Sequence, residues 1–349
     1  VEPLVLQSTR AIALGCVFFW GVVANPSHVA AEPAVLHAAR VICCRAADDA
    51  PDAVVTGVAM TPDGRTVAAA TDDHRVLVWD AVTGELKITF EGHADWVRSL
   101  AFSHDGQILA SGAADRCLCL WHVQDKRRLI ELPACQGAIA AVSFHPNNQQ
   151  VAVVGFSKGL WIVNTSTAQV NQQLVCPCSD MRTVAFSRDG ARMAVAGRNG
   201  KIRVWNVNSG AQEYTIETDG RRIRGLAFSP DGRTLAAAGM GPDIHLFDAA
   251  NGQTKWTLAT RPAKVFTLVF LNDQRLATGG SDNRIVVWDL ESRQAVTQLV
   301  GHTGTIAALC GNAAGDVLVS GSYDTTLRIW NLSDSASPSV ARGPTEVTR

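Results

Sequence analysis

Hydrophobic and polar positions alternate with a period of two along most of this chain. Val97-Arg98-Ser99-Leu100-Ala101-Phe102 reads as a strand and Ser103-His104-Asp105-Gly106 as the turn that ends it. Ile108-Leu109-Ala110-Ser111 returns, and Leu118-Cys119-Leu120-Trp121 makes a third strand. The same turn chemistry recurs at Pro62-Asp63-Gly64, Arg188-Asp189-Gly190 and Pro230-Asp231-Gly232, where glycine supplies the positive φ of a tight hairpin. Near-continuous apolar strands, Thr66 to Ala70 and Thr234 to Ala238, predict sheets covered on both faces. Their small alanines suit the crowded region near an axis.

The pattern itself repeats. Third strands end at Val78-Trp79-Asp80, Leu120-Trp121-His122, Ile162-Val163-Asn164, Val204-Trp205-Asn206, Leu246-Phe247-Asp248, Val287-Trp288-Asp289 and Ile329-Trp330-Asn331. The central positions 79, 121, 163, 205, 247, 288 and 330 step by 42, 42, 42, 42, 41 and 42 residues. A period of about 40–45 with an apolar-Trp-Asp ending predicts an all-β repeat architecture built from seven units.

Composition narrows the functions open to it. Of the 349 residues, 47% are hydrophobic and 18% charged, which fills a large core and argues against disorder. The formal net charge of -1 provides no global field toward nucleic acid or a membrane surface, so an electrostatic function must come from a local cluster. Nine cysteines include the close sets Cys43-Cys44, Cys117/Cys119 and Cys176-Pro177-Cys178 but no CxxC pair, and read as small apolar or loop residues. The histidines show neither HxH nor HExxH spacing. Phosphate loops and dinucleotide fingerprints are missing too, so neither a metal nor a cofactor is expected.

Residues 1–31 differ from the rest. Arg10 precedes the apolar run Ala11 to Ala24, a turn at Asn25-Pro26-Ser27 follows, and Val29 and Ala31 stand at the -3 and -1 positions of a cleavage site before Glu32. This is the pattern of a secretory signal peptide; an uncleaved membrane anchor and a buried extension are the alternatives. An extracytoplasmic protein is expected if the signal works, and a cytoplasmic one otherwise.

Period and strand endings resemble the WD40-repeat family over roughly residues 34–331. The resemblance implies a seven-bladed β-propeller with four antiparallel strands per blade, the fourth exemplified by Glu85 to Phe90. With the leader-like segment it implies a bacterial-type member: signal or anchor at 1–31, propeller at 32–332, disordered tail at 333–349. It also implies that a Gly-His pair follows the fourth strand. Only Gly92-His93 and Gly301-His302 keep it. His93, Ser111, Asp115 and Trp121 fit the family's structural tetrad, as do His302, Ser320, Asp324 and Trp330. Asp73 and Asp282 keep the carboxylate without the histidine, and the third and fifth units lack Asp, His and Trp alike. Ring closure needs one more strand, and Val35 to Cys44 is expected to pair beside the last unit's third strand, since an open edge invites aggregation.

His93, Asp115 and Ser111 also mimic a catalytic triad on paper. The same types recur at the same offsets in the last unit, so a structural role is expected and no enzyme. The repeat signatures of lactonase and quinoprotein propellers are absent. The family places the residue after the apolar start of each first strand at the channel mouth: Thr56, Arg98, Ala140, Arg182, Arg224, Phe266 and Ala307. On the same face lie Asp72, Ala114, Phe156, Arg198, Ser281 and Tyr323, with Trp96, Arg221, Arg222 and Lys264 alongside. The partner-binding residues expected from this are Arg98, Arg182, Arg224, Arg198, Arg222, Trp96, Phe266, Tyr323 and Phe156. Arginine and aromatic side chains dominate protein interfaces, and guanidinium groups grip carboxylate or phosphate. The alternative is a solvated face charge-paired to Asp72, Asp180 and Asp219. A monomeric, non-catalytic scaffold for an acidic protein segment is therefore expected, touching a membrane only through an uncleaved leader. An extracytoplasmic small-anion or sugar-acid binder, with or without weak hydrolytic activity, is the second reading.

Overall fold

Each unit is folded back on itself by its turn. Thr61 Oγ1 donates to Asp63 Oδ1 at 2.6 Å, and the same oxygen accepts the Arg65 N–H at 3.0 Å. Ser103 with Asp105, Ser187 with Asp189 and Ser229 with Asp231 build the same cradle. The glycine after each of these aspartates sits at φ between +70° and +74°, a conformation that side chains with a Cβ rarely adopt. The computed structural model describes residues 33–45, 47, 50–132, 136–177, 180–260 and 263–333. The leader expected at 1–31 and the tail from residue 334 onward lie outside the described residues.

The hairpins form seven sheets, each with four antiparallel strands from the propeller repeat or its closure. Blades one to six span residues 55–90, 97–132, 139–175, 181–217, 223–259 and 265–300, and blade seven begins at 306. First strands of neighbouring blades touch all the way round, including the last against the first, so they form the innermost ring. Seven apolar clusters fill the seven seams between blades. Ala68 and Ala70 face the seam toward Phe102 and Trp121, while Ala69 faces the seam toward Leu327 and Ile329. The alanine runs therefore lie in the second strand, between neighbouring blades, and not at the axis itself. Around the axis stand other small residues, including Gly57, Ser99, Ala141 and Gly225. A Cβ on Gly57 would come within 3.1 Å of the Arg98 carbonyl oxygen.

The ring is closed from the N-terminal side, through two short strands instead of one. β1 (Ala34–His37) lies parallel to blade six's outer strand, Gln294–Val300, as a fifth strand. β2 (Arg40–Cys43) lies antiparallel to Thr326–Asn331 and completes blade seven. The chain crosses the seam between the two strands at Ala38 and Ala39, whose N–H donates to Ile329 O at 2.9 Å. Arg40 also reaches blade one, donating to Thr83 O at 2.8 Å and Val82 O at 2.6 Å.

Candidate functional site

The innermost strands share an irregularity that no propensity reveals. In all seven the pairing register slips after the first residue: between Val55 and Gly57, Val97 and Ser99, Ile139 and Ala141, Met181 and Thr183, Ile223 and Gly225, Val265 and Thr267, Ile306 and Ala308. The residue skipped each time is Thr56, Arg98, Ala140, Arg182, Arg224, Phe266 or Ala307. A bulged residue leaves the ladder and re-aims its side chain. All seven line one central cavity of about 440 Å³, together with Val54, Asp72, Trp96 and Tyr323. A second ring of equivalent bonds sets the rim. The N–H of Asp72, Ala114, Phe156, Arg198, Met240, Ser281 and Tyr323 each donates to the residue preceding its blade's first strand. Met240 is the fifth-blade member of that ring, hidden in the sequence by the degenerate Gly239-Met240-Gly241 stretch.

The cavity is cationic and aromatic. Arg182 lies 4.2 Å from the Phe156 ring centre and Arg98 lies 5.5 Å from it, so one ring carries two guanidinium groups. Arg224 stacks 4.5 Å from Phe266, with the Tyr323 hydroxyl beside it. Burial lowers the pKa of Arg224, the tyrosine opposes that, and the positive charges of Arg182 and Arg222 add to it. Trp96 and Tyr323 remain 49% and 51% exposed, which places two large ring faces in solvent at the rim.

The arginines are not equivalent electrically. Asp180, two residues before Arg182 and on the same side of the chain, accepts from Arg182 Nε and, at 3.3 Å, from Nη2. Arg222 Nη2 approaches the same carboxylate at 4.0 Å. Arg221 pairs with Asp219 at 3.4 Å. Among the described residues, Arg98 and Arg224 have no carboxylate partner, and Arg98 Nε is buried with no acceptor. Of the nine expected partner-binding residues, Arg98, Arg182, Arg224, Trp96, Phe266 and Tyr323 line the cavity. Phe156 is not among the lining residues but carries Arg98 and Arg182 over its ring. Arg198 is exposed outside it, and Arg222 borders a separate depression with Thr218, Asp219 and Arg221.

The two histidine sets are bonded alike. His93 Nδ1 lies 2.8 Å from Asp115 Oδ2, its Nε2 lies 2.8 Å from Ser111 Oγ, and Trp121 Nε1 donates to Ser111 Oγ at 2.8 Å. His302, Asp324, Ser320 and Trp330 repeat these distances. An indole can only donate and a carboxylate only accept, so with a neutral imidazole each proton has one place: Trp to Ser, Ser to His Nε2, His Nδ1 to Asp. Both serines are 0% exposed and their oxygens are already engaged by indole and imidazole, so no substrate reaches the triad-like atoms. In blade six half of the arrangement survives, with Trp288 Nε1 donating to Thr278 Oγ1 at 2.9 Å. Among the described residues no cluster of three His, Cys, Asp or Glu side chains could hold a metal ion.

Comparison with known proteins agrees with this geometry. Residues 54–230, half of the chain, match the model for the IFT122 first beta-propeller, and residues 252–289 and 293–331 match WD domain, G-beta repeats. The Schizosaccharomyces pombe Periodic tryptophan protein 2 homolog is 30% identical over 108 residues, 31% of this chain and 13% of that protein. A Saccharomyces cerevisiae Coronin-like protein is 35% identical over 102 residues, 27% and 16% respectively. The mouse WD repeat and SOCS box-containing protein 1 is 30% identical over 104 residues, 29% and 25%. The matches thus cover a quarter or less of these relatives' own length. All three come from eukaryotes, so the bacterial-type character expected from the leader-like segment finds no support among them. Period, blade topology, tetrad bonding and family models converge: the chain belongs to the WD40-repeat β-propeller family.

Proposed function

We propose that this chain is a non-catalytic protein-interaction scaffold whose central mouth holds an acidic segment of a partner protein. The observation that carries the reading is the pair Arg98 and Arg224, which have no carboxylate partner among the described residues, in a cavity rimmed by exposed Trp96 and Tyr323. The positive charges of Arg182 and Arg222 act against that of Arg224, and an incoming carboxylate relieves that repulsion while forming charge-assisted bonds worth about 1.5–3 kcal/mol each. Rim aromatics then supply the contact area that anchors a chain segment. Relatives named for WD repeats with a SOCS box and for association with cilia and flagella fit a part in larger assemblies.

The test is fluorescence anisotropy with a labelled oligoglutamate peptide. Binding should saturate and weaken steadily as salt rises past about 0.15 M, because screening shortens to about 8 Å there. Arg98→Glu with Arg224→Glu should abolish it without moving the unfolding midpoint by more than a few degrees. Arg65→Glu with Arg233→Glu, exposed in turns at the far end of their strands, should leave it intact. Equal loss with both pairs would reduce the mouth to a solvated rim. The cavity volume also falls within the range of small-ligand sites, about 300–1,000 Å³. Stabilisation by citrate or phosphate with no peptide binding would favour the small-anion reading.

A further inference from the structure

The outer strands of the blades are sheet edges, and most carry charge. Lys87 lies in blade one's outer strand, Arg127, Arg128 and Glu131 in blade two's, Glu213 and Glu217 in blade four's, and Lys255 in blade five's. Charge on an edge discourages pairing with another strand. Two outer strands have none: Gln294–Val300 of blade six and Val170–Val175 of blade three. The first is covered by β1, whose residues Ala34 to His37 pair with Thr297, Gln298, Leu299 and Val300.

The other edge, which no strand among the described residues covers, repeats the sequence of the first at equivalent positions. Gln298-Leu299-Val300 follows the Trp288 reference position at the same offsets as Gln173-Leu174-Val175 follows Val163. The ladders agree, with Leu299 opposite Ile285 and Leu174 opposite Leu160. Beneath β1, Leu299 is 1% exposed, and Leu36 packs against the cluster that holds Leu299 and Leu332. At blade three the corresponding cluster holds Val207, with Leu174 only half-buried against it, and Val175 is 71% exposed. The Cys176 N–H donates inward to Lys158 O at 2.8 Å, so by strand alternation the N–H groups of Val175 and Gln173 point outward. An uncharged edge with free donors and a half-filled apolar seat matches the one that this chain fills for itself on blade six.

We propose that the outer edge of blade three is a second docking surface, independent of the mouth, that adds a parallel strand from a partner protein. Its occupant is a short, extended, uncharged segment with an aliphatic residue in the third position, the chemistry of Ala34–His37. A second copy of this chain is the poorer occupant, because its own matching segment is already engaged on blade six.

The probe is a capped peptide with the sequence of residues 33–38, titrated at up to millimolar concentration into the full chain and followed by calorimetry. Saturable binding is expected. Val175→Pro removes one outward donor at a position where proline is tolerated, so the unfolding midpoint should hold while affinity falls at least about tenfold. A peptide carrying Asp in place of its leucine should not bind. Equal affinity for the unsubstituted protein and Val175→Pro would mean the peptide merely displaces β1 on blade six, and would overturn the proposal. No binding to the unsubstituted protein would overturn it as well. Dimerisation of the free protein that Val175→Pro abolishes would replace the partner with a second copy.

Discussion

Asp324 accepts from His302 Nδ1, from the backbone N–H of Thr303 and Thr326, and from Thr326 Oγ1. Burial raises its pKa, but those bonds outweigh burial and hold the carboxylate well below its usual range. His302 is pushed below the usual histidine value, chiefly by burial, which the bond to Asp324 only partly offsets. Asp324→Ala strands these buried donors and should cost about 2–5 kcal/mol in urea unfolding. Asp73→Ala should cost under about 1 kcal/mol, because Thr71 Oγ1 keeps Arg75 O as an acceptor at 2.9 Å and Asp73 is partly exposed. Both shifts in the last blade have the same sign with acid. Unfolded histidine takes up protons below about pH 6.5 and unfolded aspartate below about pH 4, each before its folded counterpart. Stability should therefore be flat near pH 7–8, decline as pH falls below about 6.5, and decline again below about 4. The first decline should shrink in His302→Gln. An unchanged profile in that variant would show that another group carries it.

At the level of elements, the clasp and the bulges do what single residues cannot. Ile42 in β2 is 6% exposed among Val55, Leu327 and Ile329, so Ile42→Ala should cost about 2–4 kcal/mol. Leu36 in β1 is half-buried, and Leu36→Ala should cost about 1 kcal/mol. Deleting residues 33–43 removes both strands, leaves the last blade's edge unpaired and should eliminate a single cooperative unfolding transition by circular dichroism. A sharp transition in that deletion would mean the ring closes without its clasp. The need for a closing strand was readable from the sequence, because the stretch after the last unit's third strand is rich in Ser, Pro and Gly. Its division across two blades was not readable. Residues 35–44 read along the chain as one strand, and only the neighbouring edge of blade six decides where the first half goes.

Across the whole molecule, seven seams share one kind of apolar filling, yet the polar bolts are unevenly distributed. Blades two and seven carry complete His-Asp-Ser-Trp sets, while blades three and five place Val163 and Phe247 where the indole would stand. A fully satisfied buried network ties a loop to its sheet, and local opening is easier where it is absent. Backbone amides within 139–175 and 223–259 should therefore exchange faster in hydrogen–deuterium exchange than those within 97–132 and 306–331. Uniform protection would show that seam packing alone sets opening. Blade three, which lacks the polar set and has an outer edge that no described strand covers, should be the most exchange-prone of the four.

The sequence alone determined the number of blades and the strand order within each, because these follow from a local repeat that survives substitution of its signature residues; the positions facing the mouth were expected only through the resemblance to the family. Hairpin turns and strand alternation act over a few residues, so they can be read along the chain. Tertiary structure decided which arginines keep free charge. Arg98, Arg182 and Arg224 occupy one repeat position, but only Arg182 has an aspartate two residues before it, folded within reach of its guanidinium. It also decided that Phe156 supports two arginines from different blades and that Arg198 and Arg222 stand outside the cavity. The Arg182–Asp180 pair is local, but the stacking of Arg182 and Arg98 on Phe156 and the approach of Arg222 to Asp180 bring together side chains from neighbouring blades, at distances that blade packing sets and no local pattern can.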